Sequence, residues 1–260
     1  TSQVKYLDNK NVFEYTPEQV IQMAKANHID VISWTYNDPV VWHEFVLETS
    51  RLAKQEGITT LYKSAIYIEL EPLKELIEVI DIFSISLKCM NDEVYRKENK
   101  GKLQPVLDAI ELINASDRHL EISQLVVTGL NDDGEDAYKT ARWMIERLKP
   151  GVPLHLVAYH PSFKYKQPRT QLETLLKLRD IVMKEGIEYC YLGNVYAVGV
   201  SNTRCKTCNH TLVERFGLSV TVPGIKEDGC CSNCGTPSPI KFPLAGRPKL
   251  NNTPEVYDSL

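Results

Sequence analysis

Between residues 16 and 192, apolar runs of strand length alternate with longer segments whose apolar positions recur every three to four residues. Thr16-Pro17-Glu18-Gln19 supplies an N-cap, a proline at the first helical position and a capping-box glutamine, so a helix begins there. Ile29–Trp34 reads as a strand. A helix opened by Asp38-Pro39 follows, with Val41, Trp42, Phe45, Val46 and Leu52 on its apolar side and a stop at Gly57. The alternation continues with strands at Ile58–Tyr62, Asp81–Leu87, Leu120–Val127, Leu154–Tyr159 and Ile187–Leu192. The intervening helices are predicted at Pro72–Ile80, Pro105–Ile113, Glu135–Leu148 and Leu172–Lys184. Strands separated by helices of about ten residues or more build a parallel sheet from right-handed βαβ units. The expected class is α/β, a repeating strand-helix scaffold that opens on a helix as though its first strand had been cut away or lay outside the numbered chain.

From about Gly199 the helical period gives way to cysteine, glycine and proline. Five of the seven cysteines fall between Cys205 and Cys234, and four of them form Cys205-x2-Cys208 and Cys231-x2-Cys234, separated by 22 residues. Two such knuckles bring four thiolates to the corners of a tetrahedron, the arrangement that Zn2+ or iron prefers, and a closed site of this kind supports structure, not chemistry. Cys230 competes with Cys231 for one corner, but only Cys231 gives the two-residue gap and the Cys-Gly ending. His210 is an outside candidate. The expected domains are a barrel at 1–198, a zinc or iron ribbon at 199–241 and an extended tail at 242–260.

At 260 residues and 43% hydrophobic content the chain can bury a full core. A net charge of −4 gives no basic footprint for nucleic acid. It contains neither a run of eighteen apolar residues nor a signal-peptide layout, so no membrane partner is expected. Clustered cysteines point to a reducing compartment and a cytoplasmic protein. Cys89 and Cys190, alone in apolar segments, read as buried structural thiols.

The strand ends carry a more specific signal. Thr35-Tyr36-Asn37-Asp38-Pro39 follows one strand, and Ser86-Leu87-Lys88-Cys89-Met90-Asn91-Asp92-Glu93-Val94 closes another. Further along stand Glu121-Ile122-Ser123-Gln124-Leu125-Val126-Val127-Thr128-Gly129-Leu130-Asn131-Asp132, Tyr159-His160-Pro161 and Tyr191-Leu192-Gly193-Asn194-Val195. In combination these segments resemble the radical S-adenosylmethionine (SAM) enzymes of the pyruvate formate-lyase-activating type, and most closely the AmmeMemoRadiSam subgroup, in which a four-cysteine C-terminal segment also recurs.

The resemblance implies a partial (β/α)6 radical SAM barrel lacking its first strand, which cleaves SAM reductively to a 5'-deoxyadenosyl radical for hydrogen abstraction. It also implies a [4Fe-4S] cluster, an electron donor for it, and a protein, peptide or small-molecule substrate. It places Tyr36, Asn37, Asp38, Ser86, Lys88, Gln124 and His160 against SAM, with Lys88 and His160 nearest the chemistry. His155, mid-strand, reads as a satisfied core histidine. Asp38 has a competing reading as the N-cap of the next helix, and Lys88 one as a solvent-reaching lysine.

Two departures accompany the likeness. The family's Asp-x-Lys stands here as Ser86-Leu87-Lys88, and its Thr-Asn-Gly turn as Tyr62-Lys63-Ser64-Ala65. The cluster-binding Cys-x3-Cys-x2-Cys does not occur among the 260 residues, and the expectation is that it lies upstream. The competing functions are a cluster-free scaffold that keeps the barrel and metal ribbon to bind a protein partner, and a barrel lyase using Lys88 as a Schiff-base amine.

Overall fold

The computed structural model describes residues 13–162 and 165–240. The chain divides into two compact units, the first running to Ser201 with Phe216–Leu218 added, the second made of Asn202–Arg215 and the residues from Ser219 on.

The first unit is a six-stranded parallel sheet whose strands lie in sequence order: β1 (Val31–Trp34), β2 (Thr59–Ser64), β3 (Ile82–Leu87), β4 (His119–Val126), β5 (Leu154–Ala158) and β6 (Cys190–Gly193). Sequential order combined with right-handed crossovers sends every connecting helix to the same side. Among the described residues β1 and β6 do not pair with each other, so the described sheet is open between them. The expected α/β fold with a parallel sheet is that observed.

The helices are α1 (Pro17–Ala26), α2 (His43–Gln55), α3 (Leu70–Val79), α4 (Asp92–Val94), α5 (Leu103–Ala115), α6 (Glu135–Arg147) and α7 (Leu172–Lys184). The capping box is formed at α1: Gln19 N–H donates to the Thr16 hydroxyl at 3.3 Å, and Thr16 N–H to Gln19 Oε1 at 2.9 Å. The helix expected directly at Asp38-Pro39 instead starts with a tight 3-10 turn, Pro39–Trp42, before α2. Sequence periodicity missed α4 and the π-helical turn Tyr95–Asn99 that continues it, because this segment is short and mostly charged.

Alternation along the strands divides the sheet into two unlike faces. Tyr62, Phe83, Ile85, Leu87, Ile122, Leu154 and Leu156 are fully buried against Leu73, Leu76, Ile110, Ile113 and Leu175 of the helices, in one continuous apolar cluster. Each such side chain contributes about 1.5–3 kcal/mol on burial. The intervening residues are half-buried on the open face, apart from the exposed Leu125.

The second unit carries β7 (Thr203–Arg204), β8 (Thr211–Phe216) and β9 (Ser219–Thr221) in one small sheet. Its core is small: Leu212 and Val213 with Cys205 and Cys231, flanked by Cys208, Ile225 and Ile240. Gly224 passes so close to β8 that a Cβ there would lie 2.0 Å from the Thr211 carbonyl oxygen, which restricts the position to glycine. The tail expected at 242–260 lies outside the described residues.

Candidate active site on the open face of the sheet

Parallel register sets the open-face residues in rows. Lys63, Ser84 and Glu121 occupy one row, and Ser86, Ser123, His155 and Tyr191 the next towards the carboxyl ends. Carboxyl ends of parallel strands are where α/β sheets hold ligands. Lys63 Nζ donates to Ser123 Oγ at 2.6 Å and to Ser84 Oγ at 3.3 Å, and the Ser86 and Ser123 hydroxyls are 3.4 Å apart. Below them Glu121 accepts from two imidazoles, His119 at 2.9 Å and His155 at 2.7 Å. Burial pushes the Glu121 carboxyl up, but the two histidines outweigh it with hydrogen bonds and positive charge, holding it well below the usual carboxylate range. His155 is satisfied, as expected, yet by a carboxylate on the open face and not by the apolar core.

Lys88 follows β3 and continues its alternation, half-buried. Its backbone is clamped on both sides: its N–H donates to the Tyr95 hydroxyl at 3.2 Å, and its carbonyl accepts from Asn131 Nδ2 at 3.2 Å. Burial lowers the Lys88 ammonium from its ordinary value, while the charge of Asp38 works in the opposite direction. Asp38 caps the turn after β1, accepting from Val40 N–H at 3.3 Å, from the Ser64 hydroxyl at 2.6 Å and from Ala65 N–H at 2.9 Å. It therefore ties the end of β1 to the end of β2, beyond the simple capping role. The last two of those bonds use the Ser64-Ala65 turn, where this chain departs from the family pattern.

The remaining candidates separate. Tyr36 is 85% exposed with left-handed backbone (φ 71°), and Asn37 beside it is exposed. His160 is exposed after β5 and donates from Nε2 to the Asn194 carbonyl at 3.2 Å. Gln124 does not join the open-face group. It is buried on the helix side, where its amide donates to Asp136. Asp136 also accepts from Met90 N–H at 2.6 Å, and burial pushes its carboxyl up to about 6, the Met90 N–H opposing the shift. Gln124 and Asp136 thus brace the loop after Lys88 from behind.

Lys63, Ser84, His119, Glu121 and Ser123 were not picked out as site residues from sequence. The available signal was the period-two return of polar residues within strands otherwise taken as continuously apolar. Among the aromatic residues near the strand ends, Trp34 is buried, with its indole N–H on Ser50 Oγ at 2.9 Å, and packs edge-on to Trp42. Tyr159 is buried as well, whereas Tyr196 is 89% exposed.

In the second unit the four expected sulfurs converge within 4.8 Å of one another. Cys205 and Cys234 Sγ are 3.6 Å apart, Cys208 and Cys231 Sγ 3.7 Å. A tetrahedron with Zn–S bonds of about 2.3 Å has edges of ~3.8 Å, so this donor set fits such an ion. Both knuckles close alike: Asn209 N–H donates to the Cys205 carbonyl at 2.8 Å, and Gly235 N–H to the Cys231 carbonyl at 2.9 Å, each donor being left-handed (φ 59° and 74°). Asn209 takes the place that glycine fills in the second knuckle. Cys230 stands apart, its N–H on Asp228 Oδ1 at 2.9 Å, and His210 meets Ser232 at 3.2 Å.

Residues 3–144 match the sequence pattern described as "Radical SAM superfamily". The chain belongs to the radical SAM superfamily. This radical SAM chain is 33% identical over 224 residues to an uncharacterized protein of Methanocaldococcus jannaschii, covering 85% of itself and 66% of that relative. It is 26% identical over 140 residues to the 4-hydroxyphenylacetate decarboxylase activating enzyme of Clostridium scatologenes, covering 51% of itself and 45% of that protein. The chain thus spans about two thirds or less of the curated relatives it matches. Its fold is that of a domain of the pyruvate-formate lyase-activating enzyme from Bacteroides vulgatus, with a TM-score of 0.56 at 18% identity over 63% of this chain and 98% of that one.

The donor sets at the barrel treat SAM and the cluster differently. Lys88, Ser86 and the partly engaged Asp38 carboxylate suit the carboxylate, hydroxyl and ammonium groups of SAM. A cluster needs thiolates. In this unit Cys89 and Cys190 are buried, and burial pushes their thiols up to about 11 and about 12. Neither fits as a cluster ligand.

Proposed function

We propose that this chain is the SAM-binding part of a radical SAM enzyme whose cluster ligands lie outside the 260 residues. The supporting observation is a half-buried lysine, Lys88, at the carboxyl end of β3, with its main chain clamped by Tyr95 and Asn131 and Asp38 in electrostatic reach. In this reading the Lys88 ammonium takes the methionyl carboxylate, Asp38 the methionyl ammonium, and Ser86 a hydroxyl, while Tyr36, Asn37 and His160 border the ligand. Reductive cleavage of bound SAM to a 5'-deoxyadenosyl radical, which takes a hydrogen atom from substrate, is the chemistry the cofactors supply together. The chain's own residues orient the ligand and carry no covalent step. Relatives named as activating enzymes make a protein or peptide the first substrate class to test, with a reductant as second partner. The Cys205, Cys208, Cys231 and Cys234 site is read as structural, for zinc or iron. The described residues contain no helix long and apolar enough to cross a membrane; the cytoplasmic assignment is carried by cysteine usage.

The experiment is metal and sulfide analysis of the full-length protein purified without oxygen, beside equilibrium dialysis with SAM. Expected are about four irons beyond the ribbon metal, 5'-deoxyadenosine under reduction, and SAM binding weakened roughly 10-fold or more by Lys88→Met. One metal per chain and SAM binding indifferent to Lys88→Met would instead point to a scaffold.

A further inference from the structure

We infer that Lys63, with the hydroxyls of Ser84 and Ser123, forms an oxyanion subsite on the open face that takes a carboxylate or phosphate group of the substrate. The inference rests on the proposed reading of that face as the substrate side, and it names the chemistry the substrate must carry there.

The first argument is charge balance. Lys63 is half-buried and spends two of its three ammonium donors on neutral hydroxyls, Ser123 at 2.6 Å and Ser84 at 3.3 Å. Among the described residues no carboxylate lies within 4 Å of its Nζ or of Lys88 Nζ. Taking an ammonium out of water without a counter-ion is costly, and hydroxyls return only part of that cost. Such a group persists where a ligand brings the opposite charge.

The second argument is the neighbourhood. Lys88, just past the end of β3, repels Lys63, so two cations share this part of the wall. Glu121, from β4, attracts Lys63, but its oxygens are engaged by His119 and His155. Asp38, the other carboxylate acting on this pair through Lys88, already accepts from Ser64 and Ala65, and in the proposed reading its remaining acceptor capacity serves the methionyl ammonium. Burial lowers the Lys63 ammonium to about 8, Lys88 adding to the shift and Glu121 opposing it, so at pH 7 most of the population is still charged. Ser123, 3.4 Å from Ser86 and on the row above Lys63, extends the donor set towards the strand ends. A planar or tetrahedral oxyanion with several acceptor oxygens satisfies one ammonium and two or three hydroxyls together, which a neutral carbonyl or an amine does not.

The test is calorimetric titration of inorganic phosphate and, separately, of acetate into the full-length protein, into Lys63→Met and into Ser84→Ala/Ser123→Ala, with SAM binding measured on each. The expected result is that at least one anion binds the unmodified protein and weakens roughly 10-fold or more in Lys63→Met, with SAM affinity retained. Binding of phosphate alone assigns a phosphate ester, and of acetate alone a carboxylate. Should Lys63→Met fail to fold, the double serine variant is the readout, with about 3-fold weaker anion binding expected. Anion affinity unchanged in the variants, or no binding of either probe, overturns the subsite. Failure of the SAM reading shows separately, as SAM binding indifferent to Lys88→Met while the Lys63 dependence of anion binding stands or falls independently.

Discussion

The two faces of one sheet are built on opposite principles. Towards the helices, Tyr62, Phe83, Ile85, Leu87 and Ile122 are closed off from water in a single apolar cluster. On the other face the same strands present Lys63, Ser84, Ser86, Glu121, Ser123 and His155, half-buried and tied to one another by hydrogen bonds. Residues adjacent in sequence, Phe83 and Ser84, or Ile122 and Ser123, belong to different environments because successive side chains of a strand point opposite ways. The first face sets stability and the second offers chemistry, so a substitution's effect depends on strand parity more than on position along the strand.

The strongest test of that division is the adjacent pair on β3. Phe83→Ala empties a fully buried ring position and is expected to cost about 3–5 kcal/mol in chemical denaturation. Ser84→Ala, one residue on, removes a 3.3 Å contact to Lys63 and is expected to cost under about 1 kcal/mol. Comparable losses at both positions would mean that the open face is as much a part of the core as the closed one.

The strand and helix positions and the four-cysteine group were legible in sequence because they depend on local patterns: apolar runs bounded by capping signals, and Cys-x2-Cys spacing. Asp38 and Lys88 were legible as strand-end groups for the same reason. What was not legible is parity and partnership. Gln124 and Ser123 are neighbours in a motif that resembles the family's, yet only Ser123 reaches the open face, while Gln124 turns to Asp136 behind it. Lys63 stood out in sequence only as a departure from a turn, since its partners Ser84 and Ser123 come from two other strands and 21 to 60 residues away.

Asp136 is where the two faces communicate, and it supplies the next largest effect. Its carboxylate accepts from Gln124 and from Met90 N–H, fixing the loop that carries Lys88. Asp136→Ala leaves the buried Gln124 amide and the part-buried Met90 N–H without their acceptor and is expected to cost about 1–3 kcal/mol, with weaker SAM binding because Lys88 loses its support. The pH dependence has a definite sign. Burial raises this carboxyl from 3.8 to about 6 in the folded protein, so its contribution is fully present below about pH 4 and is lost as pH rises through 6. Denaturation midpoints at pH 4 and 7 should therefore differ less in Asp136→Ala than in the unmodified protein. An equal difference in both would remove Asp136 as its source.

The smallest effect runs in the opposite direction. Lys63 has its ammonium lowered from 10.5 to about 8 in the folded protein, which means that folding disfavours its charge. Below pH 8 the folded chain bears that penalty in full. Between about pH 8 and 10.5 the unfolded chain binds more protons than the folded one, so stability rises with pH. Lys63→Met keeps much of the side chain's length and removes the charge. It is expected to raise stability at pH 7 by about 0.5–2 kcal/mol, the size commonly gained when a strained functional position is relieved. That advantage should shrink as pH approaches 10.5, and denaturation at pH 7 and 10 measures it. A variant more stable than the parent yet deficient in anion binding would mark Lys63 as a residue retained for its ligand. A variant less stable at pH 7 would make the same lysine a strut between β2 and β4, its bonds to Ser84 and Ser123 being the whole of its role.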